Sequence, residues 1–554
     1  MHIHQYITNG YIALLLIVLN ACQGVQQNYG PHDTETNADA APDTDTDADA
    51  DSDADSESET VDTDFTSEAI PTTCAEAAEQ QTSVGCEFFA ADLDNASQND
   101  HMTYAIVVSN PQEVQSAQIT LWDGTESAIY TATLAPGELH VIDVACDLGC
   151  LVPPHEIDKQ GFSRGAGFRL ASDVPILVYQ WNTYGIDEAS VDASLLLPTV
   201  SLGRSYIVAA WGQGNSINMP TSVSQVTVVA IEDDTHVSFI PSTDVPDFGD
   251  AGPYGAGVET EPVRLDAFDI IALGPAILDD DVTGTVVRSD KPVVVFGGHA
   301  CATVPDVYYQ ACDHLEEQLF PLSAWGTSSV LARHAPRQNC MYEDLVVWRV
   351  IAGADDMAVT FDPPAPDPAG SAYYFEKQGD VLEFMASDNY YAEGLFESPA
   401  DPTEPEAPFL AYQLMTGADY PDCFLNETRR EGDPMMLQAA PAWQYLDRYV
   451  FNTDNVFDFA YDRITIVRPT GAHVVLDCLG LIPDSQFTAV GSSGWEVAYV
   501  VIDDPDNTTG CEDGAHVLTA SAPVGLSVVG TGDGVSYGYM GGTGVAPINP
   551  VVVE

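Results

Sequence analysis

Two short words near the middle of the chain carry the residue types of a metal site. His299-x-Cys301 is followed by Cys312-x-His314. Two imidazoles and two thiolates are a sufficient tetrahedral set for zinc. Asp313, Glu316 and Glu317 stand beside them as outer-shell groups or a general base, the outline of a metal-dependent hydrolase centred on His299 and His314. Two arguments point to different chemistry. Close thiols in an exported chain oxidise, and a disulfide cannot ligate zinc as two thiolates. The spacing also departs from the usual zinc pairings, in which two near residues flank a turn. A Cys301–Cys312 disulfide is therefore expected, with no metal and no cofactor. The bridge would pin the loop CATVPDVYYQAC and present Asp306, Tyr308 and Tyr309 as an ordered, ligand-facing tip. His299 and His314 would flank it as hydrogen-bonded structural residues.

Other catalytic words are missing. The chain has no HExxH and no phosphate-cradling glycine loop ahead of a helix. Gly432-Asp433-Pro434 resembles the start of a self-cleaving Asp-Pro site, but Met435 stands where such sites carry His. Carboxylate pairs are so abundant that no pair can be singled out as acid and base. The adjacent tyrosines Tyr390 and Tyr391 read as strand aromatics packed in a core. The expectation is a protein that is not an enzyme.

The start of the chain explains the export. Tyr11 to Leu19 is an apolar run sized for a signal peptide and too short to span a bilayer. It ends in Leu19-Asn20-Ala21-Cys22, which resembles a bacterial lipobox, so residues 1–21 read as a leader and Cys22 as the lipidated new N-terminus. Asn20 is unusual at its position, and His2 and His4 stand where basic residues are the norm. Multiple acyl chains on one residue anchor stably. Gln23, which is not Asp, suits transfer to an outer membrane. The remaining residues to 70 include DTDTDADADSDADSESE, which has almost nothing to bury and repels itself, and so forms a disordered tether. It lacks the Gly and the bidentate Glu of a calcium loop.

Removing Cys22 from the 11 cysteines leaves an even set, which in an exported chain reads as disulfides. Nearest-neighbour pairing joins Cys74 to Cys86, Cys146 to Cys150, Cys301 to Cys312, Cys340 to Cys423 and Cys478 to Cys511.

Charge narrows the partners. Asp and Glu number 85 against 16 Lys and Arg, a net charge of -69. Such a surface repels nucleic acid and anionic headgroups, so contact with the membrane is expected through the lipid anchor only. Much of this charge reads as solvation.

The body from residue 71 onward must then position any loop tip, and it repeats. Pro175, Pro292, Pro408 and Pro523 each lead a buried-looking strand, at a spacing of about 115 residues. A second anchor runs in phase: YAIVVSN, VTVVAIED, LVVWRVIAG and ITIVRPTG. A third precedes the last three repeats: LLPTVSLGRSYIVAAW, LFPLSAWGTSSVLARH and AAPAWQYLDRYVFNT. The fold class is all-β: four tandem repeats, about 86–182, 196–299, 319–415 and 439–545, each read as a β-sandwich by its short strands and turns. The alternative is a closed, propeller-like ring. Residues 74–81 are the best helix candidate.

SDKPVVVFGGHACATVP, ACDHLEEQLFPLSAWG, GDPMMLQAAPAWQYLDRYVF and VSYGYMGG together resemble the IgGFc-binding protein N-terminal domain family, over most of residues 86 to 545. The resemblance implies an extracellular binding or adhesion module for a protein or glycan ligand. It does not by itself imply antibody binding. The expectation is a non-enzymatic surface lipoprotein; a structural envelope component is the further alternative.

Overall fold

The computed structural model describes residues 69–95, 104–125, 127–144, 160–184, 190–214, 223–309, 311–397, 405–426, 428–453, 459–505 and 508–549. The leader, Cys22, nearly all of the tether, Cys146 and Cys150 lie outside them. Among the described residues no helix is long and apolar enough to cross a membrane.

The one α-helix among the described residues, Cys74–Gln80, starts where the sequence places it. The Thr73 side chain accepts the Glu76 N–H, and the Glu76 carboxylate accepts the Thr73 N–H in return. This reciprocal cap satisfies two otherwise orphaned donors. The other described elements are strands, turns and short 3-10 segments.

Each repeat stacks two antiparallel sheets. In the third, Ser328–Leu331, Tyr390–Phe396, Met357–Ala365 and Gly370–Phe375 form one sheet; Val381–Ala386, Val346–Ala352, Phe409–Met415 and Met436–Ala439 form the other. Met357, Val359 and Phe361 alternate inward along one strand and meet Trp348, Val350, Phe384 and Phe409 in a closed core. This alternation is what a sheet with one buried face requires. The second repeat borrows a strand, since Gly161–Ser163 from the first pairs with Ile270–Leu273.

Pro292 and Pro408 stand just before Val293–Ala302 and Phe409–Met415, at strand starts as expected. Pro175 and Pro523 do not. They lie inside the long strands Phe168–Asn182 and Ala515–Thr531, at the point where one strand leaves one sheet for the other. Pairing skips there, from Glu87↔Ala171 to Gly85↔Ile176 and from Arg448↔Thr519 to Leu446↔Val524. The proline is tolerated for the same physical reason, because no ladder bond is asked of it.

The repeats are both sandwiches and blades. The second sheet of each repeat ends in a short strand at the middle of the body: Asp192–Leu195, Asp313–Gln318, Met436–Ala439 and Ser536–Met540. These inner strands follow the proline-led strands and meet around a common centre. The Glu316 N–H donates to Asp192 Oδ2 and the Gln318 N–H to Ser194 Oγ, which ties the second repeat to the first. The Gln438 N–H donates to Glu317, tying the third to the second. The Asp433 N–H donates to Ser536 Oγ, tying the third to the fourth. The fourth returns to the first through Trp181 against Tyr537, at 4.5 Å between ring centroids. The Ser83 N–H also donates to the Thr543 carbonyl, and the Val545 N–H to Gln81. The ring is closed, which removes the exposed inner edges that four separate sheets would carry.

Neighbouring repeats interlock by one recurring contact. A Cβ added to Gly85 would meet Pro198 at 2.3 Å; to Gly203, Pro321 at 2.4 Å; to Gly326, Pro441 at 2.5 Å. Each glycine lets the next repeat's entry proline close in.

Candidate functional site

The loops that lead into the inner strands of the second and third repeats lie against each other. In the second repeat this loop runs from the end of Val293–Ala302 to Asp313, and Cys301 is bonded to Cys312 at its base. In the third it runs from Met415 to Met436, and Cys423 is bonded to Cys340 in the neighbouring loop. Cys74–Cys86 and Cys478–Cys511 are also bonded.

Three residues fix the third repeat's loops. Arg333 and Arg337 both reach Asp344, each at 2.8 Å, and all three are buried. Burial opposes ionisation of Asp344, yet the Arg337 and Arg333 charges outweigh it and hold this carboxyl well below the usual range. Arg337 also donates to the Thr416 carbonyl and hydroxyl, and the Gln338 N–H donates to Glu431. The Met341 and Tyr342 N–H groups donate to the Asp422 and Pro421 carbonyls. The second-repeat loop is drawn in by the Gly417 N–H, which donates to Val304, and the Ala311 N–H, which donates to Asp419.

The result is a ridge of tyrosines. Tyr309 packs on Tyr420 at 5.1 Å, and Tyr420 lies parallel to Tyr342 at 6.5 Å. Tyr308 is 86% exposed, Met341 64% and Tyr342 60%. Aromatic and methionine side chains held this far into solvent on braced backbone suit binding, because little ordering entropy remains to be lost. Asp306 shapes the tip: its carboxylate accepts the Tyr308 N–H and its carbonyl the Tyr309 N–H. Of the three residues expected at the tip, Tyr308 points outward, Tyr309 is half-buried against Tyr420, and Asp306 holds the turn. Met341, Tyr342 and Tyr420 come from distant loops, and only their neighbours Cys340 and Cys423 mark them in the sequence.

The histidines sit beneath. His299 is buried, and its Nδ1 accepts the Cys301 N–H at 2.9 Å. His314 is buried with Nε2 3.5 Å from Glu316. Burial pushes both imidazoles down to about 3, so both are neutral. The sulfurs of Cys301 and Cys312 are bonded to each other, which leaves two imidazoles without thiolates. Asp477, Cys478 and His516 bring three ligand-type atoms together elsewhere, but Cys478 is likewise spent in a disulfide.

Asp313, Glu316 and Glu317 belong to the ring centre. Asp313 Oδ1 accepts N–H bonds from Val191 and His314, Glu316 accepts from the Gln180 amide, and Glu317 from Gln438 and the Ser194 hydroxyl. Burial raises all three carboxyls well above their usual range. They are inner-strand groups, closed off from solvent. Tyr390 is buried edge-on to Phe384 at 5.9 Å and belongs to the third repeat's core.

Residues 192–530, more than half of the chain, match the family described as IgGFc binding protein. The human IgGFc-binding protein is 25% identical over 248 residues, which are 44% of this chain and 4% of the human protein. The match thus spans a small part of that relative. Among solved structures, the BSP domain of a biofilm associated protein covers 82% of this chain and 95% of its own at 8% identity and a TM-score of 0.14, too low to carry an argument.

Proposed function

The chain belongs to the IgGFc binding protein family, and we propose that it is a non-enzymatic binding module whose tyrosine ridge meets an extracellular protein. The observation that carries this reading is the ridge itself: Tyr308, Met341 and Tyr342 exposed on loops braced by Cys301–Cys312 and Cys340–Cys423. Buried acids and neutral, buried histidines support binding over catalysis, because the groups with acid–base character face one another across inner strands. The leader, the lipidated Cys22 and the acidic tether would hold the body away from an outer membrane or cell surface, where disulfides persist.

The test uses the soluble body, residues 71–554. Immobilised body is offered purified immunoglobulin Fc, for which the human relative is named, and then extracts of host and bacterial surfaces. A saturable partner whose binding falls about tenfold or more in Tyr308→Ala/Tyr342→Ala supports the reading. A partner held equally by that variant places the contact elsewhere and overturns the role of the ridge. Turnover of any substrate that a chelator abolishes would overturn the non-enzymatic assignment.

A further inference from the structure

A second concave surface shares no residue with the ridge. A groove of about 910 Å³ runs between the outer sheet of the first repeat and the turns of the second. That volume falls within the size of small-molecule sites, about 300–1,000 Å³. Glu87, Trp122 and Arg169 line one wall; Glu232, Asp233 and Phe268 line the other.

The first wall is pre-set. The Arg169 guanidinium lies 4.9 Å over the Trp122 ring. Arg169 Nε donates to Glu87 Oε1 at 2.7 Å, and the Thr199 hydroxyl donates to Glu87 Oε2 at 3.2 Å. Trp122 is half-buried, so its ring is held yet reachable. On the opposite wall Phe268 adopts φ +69° and packs on Phe89 at 5.5 Å. A bulky residue in the left-handed region is uncommon, and such strain clusters at binding sites. The Phe268 turn is tied to the first repeat by the Gly167 N–H, which donates to the Phe268 carbonyl at 2.9 Å. The Ala267 N–H donates to Asp233 Oδ1 at 3.1 Å.

The chemistry selects the ligand class. Arg169 is already matched by Glu87, and Glu232 and Asp233 add two exposed negative charges of which Lys291, donating to the Asp233 carbonyl, offsets one. Phosphates, uronates and other anions are repelled. The lining is too charged for an acyl chain. An aromatic plate beside carboxylate acceptors and guanidinium donors matches a molecule with apolar C–H faces and many hydroxyls. We propose that this groove binds a neutral oligosaccharide, with a sugar against the part of the Trp122 ring that Arg169 leaves open and hydroxyls donated to Glu232 and Asp233.

The folded body is titrated with neutral tetrasaccharides of glucose, N-acetylglucosamine, mannose and galactose, followed by calorimetry. At least one should bind saturably. Trp122→Ala should weaken it by about tenfold or more, while Trp122→Phe, which keeps a ring, should retain part of it. Circular dichroism confirms that the variants are folded. Tyr308→Ala/Tyr342→Ala should bind the sugar as the parent does, which separates this groove from the ridge. Absence of saturable binding by all four sugars at millimolar concentration overturns the proposal. So does binding that Trp122→Ala leaves intact, or a groove that takes a basic peptide in place of every sugar.

Discussion

The Asp192 carboxylate accepts the backbone N–H of Gly538 at 3.3 Å, joining the first inner strand to the fourth across 346 residues. The same carboxylate accepts N–H bonds from Glu316, Met436 and Ala193. One side chain thus meets an inner strand of every repeat. Inner-edge N–H groups have no water to turn to, and an unpaired buried donor is costly. Burial pushes Asp192 well above the usual carboxylate range, against the opposing pull of its four donors.

Asp192→Ala should therefore destabilise the whole body by about 3–5 kcal/mol, because several buried donors lose their acceptor at once. Asp192→Asn keeps one acceptor oxygen and should cost less. Denaturant unfolding of both variants measures the difference. An alanine variant within about 0.5 kcal/mol of the parent would show that the ring centre does not depend on this residue.

Asp433 gives stability a sign with pH. Burial raises its carboxyl to about 7, while its two neighbouring cations, Arg337 and Arg430, oppose the rise. Below about pH 4 it is protonated in both folded and unfolded chains. As pH rises toward 7 the unfolded chain releases the proton and the folded one does not, so this group's contribution to stability is lost over that window. Asp433→Asn cannot titrate. Relative to the parent, it should gain stability steadily from about pH 4 to about pH 7. The buried His299 and His314 act with the opposite sign and lose stability as pH falls from about 6.5 toward 3, in parent and variant alike. Chemical unfolding across pH checks the difference, and a flat difference would contradict the assignment.

Non-reduced peptide mapping should return Cys74–Cys86, Cys301–Cys312, Cys340–Cys423 and Cys478–Cys511 as linked pairs. Cys340–Cys423 spans 83 residues, and its removal as Cys340→Ala/Cys423→Ala should cost about 2–5 kcal/mol in the chain-entropy description. Binding at the ridge should fall with it, because Met341 and Tyr342 lose their brace.

Ring closure predicts how the body resists proteases. Pro198, Pro321 and Pro441 begin short 3-10 turns pressed against Gly85, Gly203 and Gly326. Native proteolysis should leave all three junctions uncut. Removing residues 541–554 takes away the Thr543 and Val545 contacts with Ser83 and Gln81 and should make those junctions cleavable. Rapid cutting at all three in the intact body would instead indicate independent sandwiches.

Cys22→Ser should abolish lipid labelling and cleavage ahead of residue 22. Processing at that point without the cysteine, with the protein still membrane-bound, would refute the lipid anchor.

Much within a repeat was legible because it is local. Alternation such as Met357, Val359 and Phe361 announces a half-buried strand, and Thr73 with Glu76 announces a helix start. The in-phase proline-led strands revealed four repeats, and three of the four described disulfides join cysteines at most 33 residues apart. What joins the repeats was not legible. DHLEEQ reads as an acidic, metal-capable word, yet it forms a strand buried along its whole length. Its carboxyls are acceptable there only because neighbouring repeats bring N–H, amide and hydroxyl donors to it, and those donors come from chain up to 136 residues away. The same holds for the ridge, where Tyr309, Tyr342 and Tyr420 meet only once the second repeat packs on the third and sets their loops side by side. Side-chain alternation and turn residues act over a few positions and write themselves into the sequence. Satisfaction of a buried polar edge depends on which distant strand arrives opposite it, and that is decided by tertiary packing.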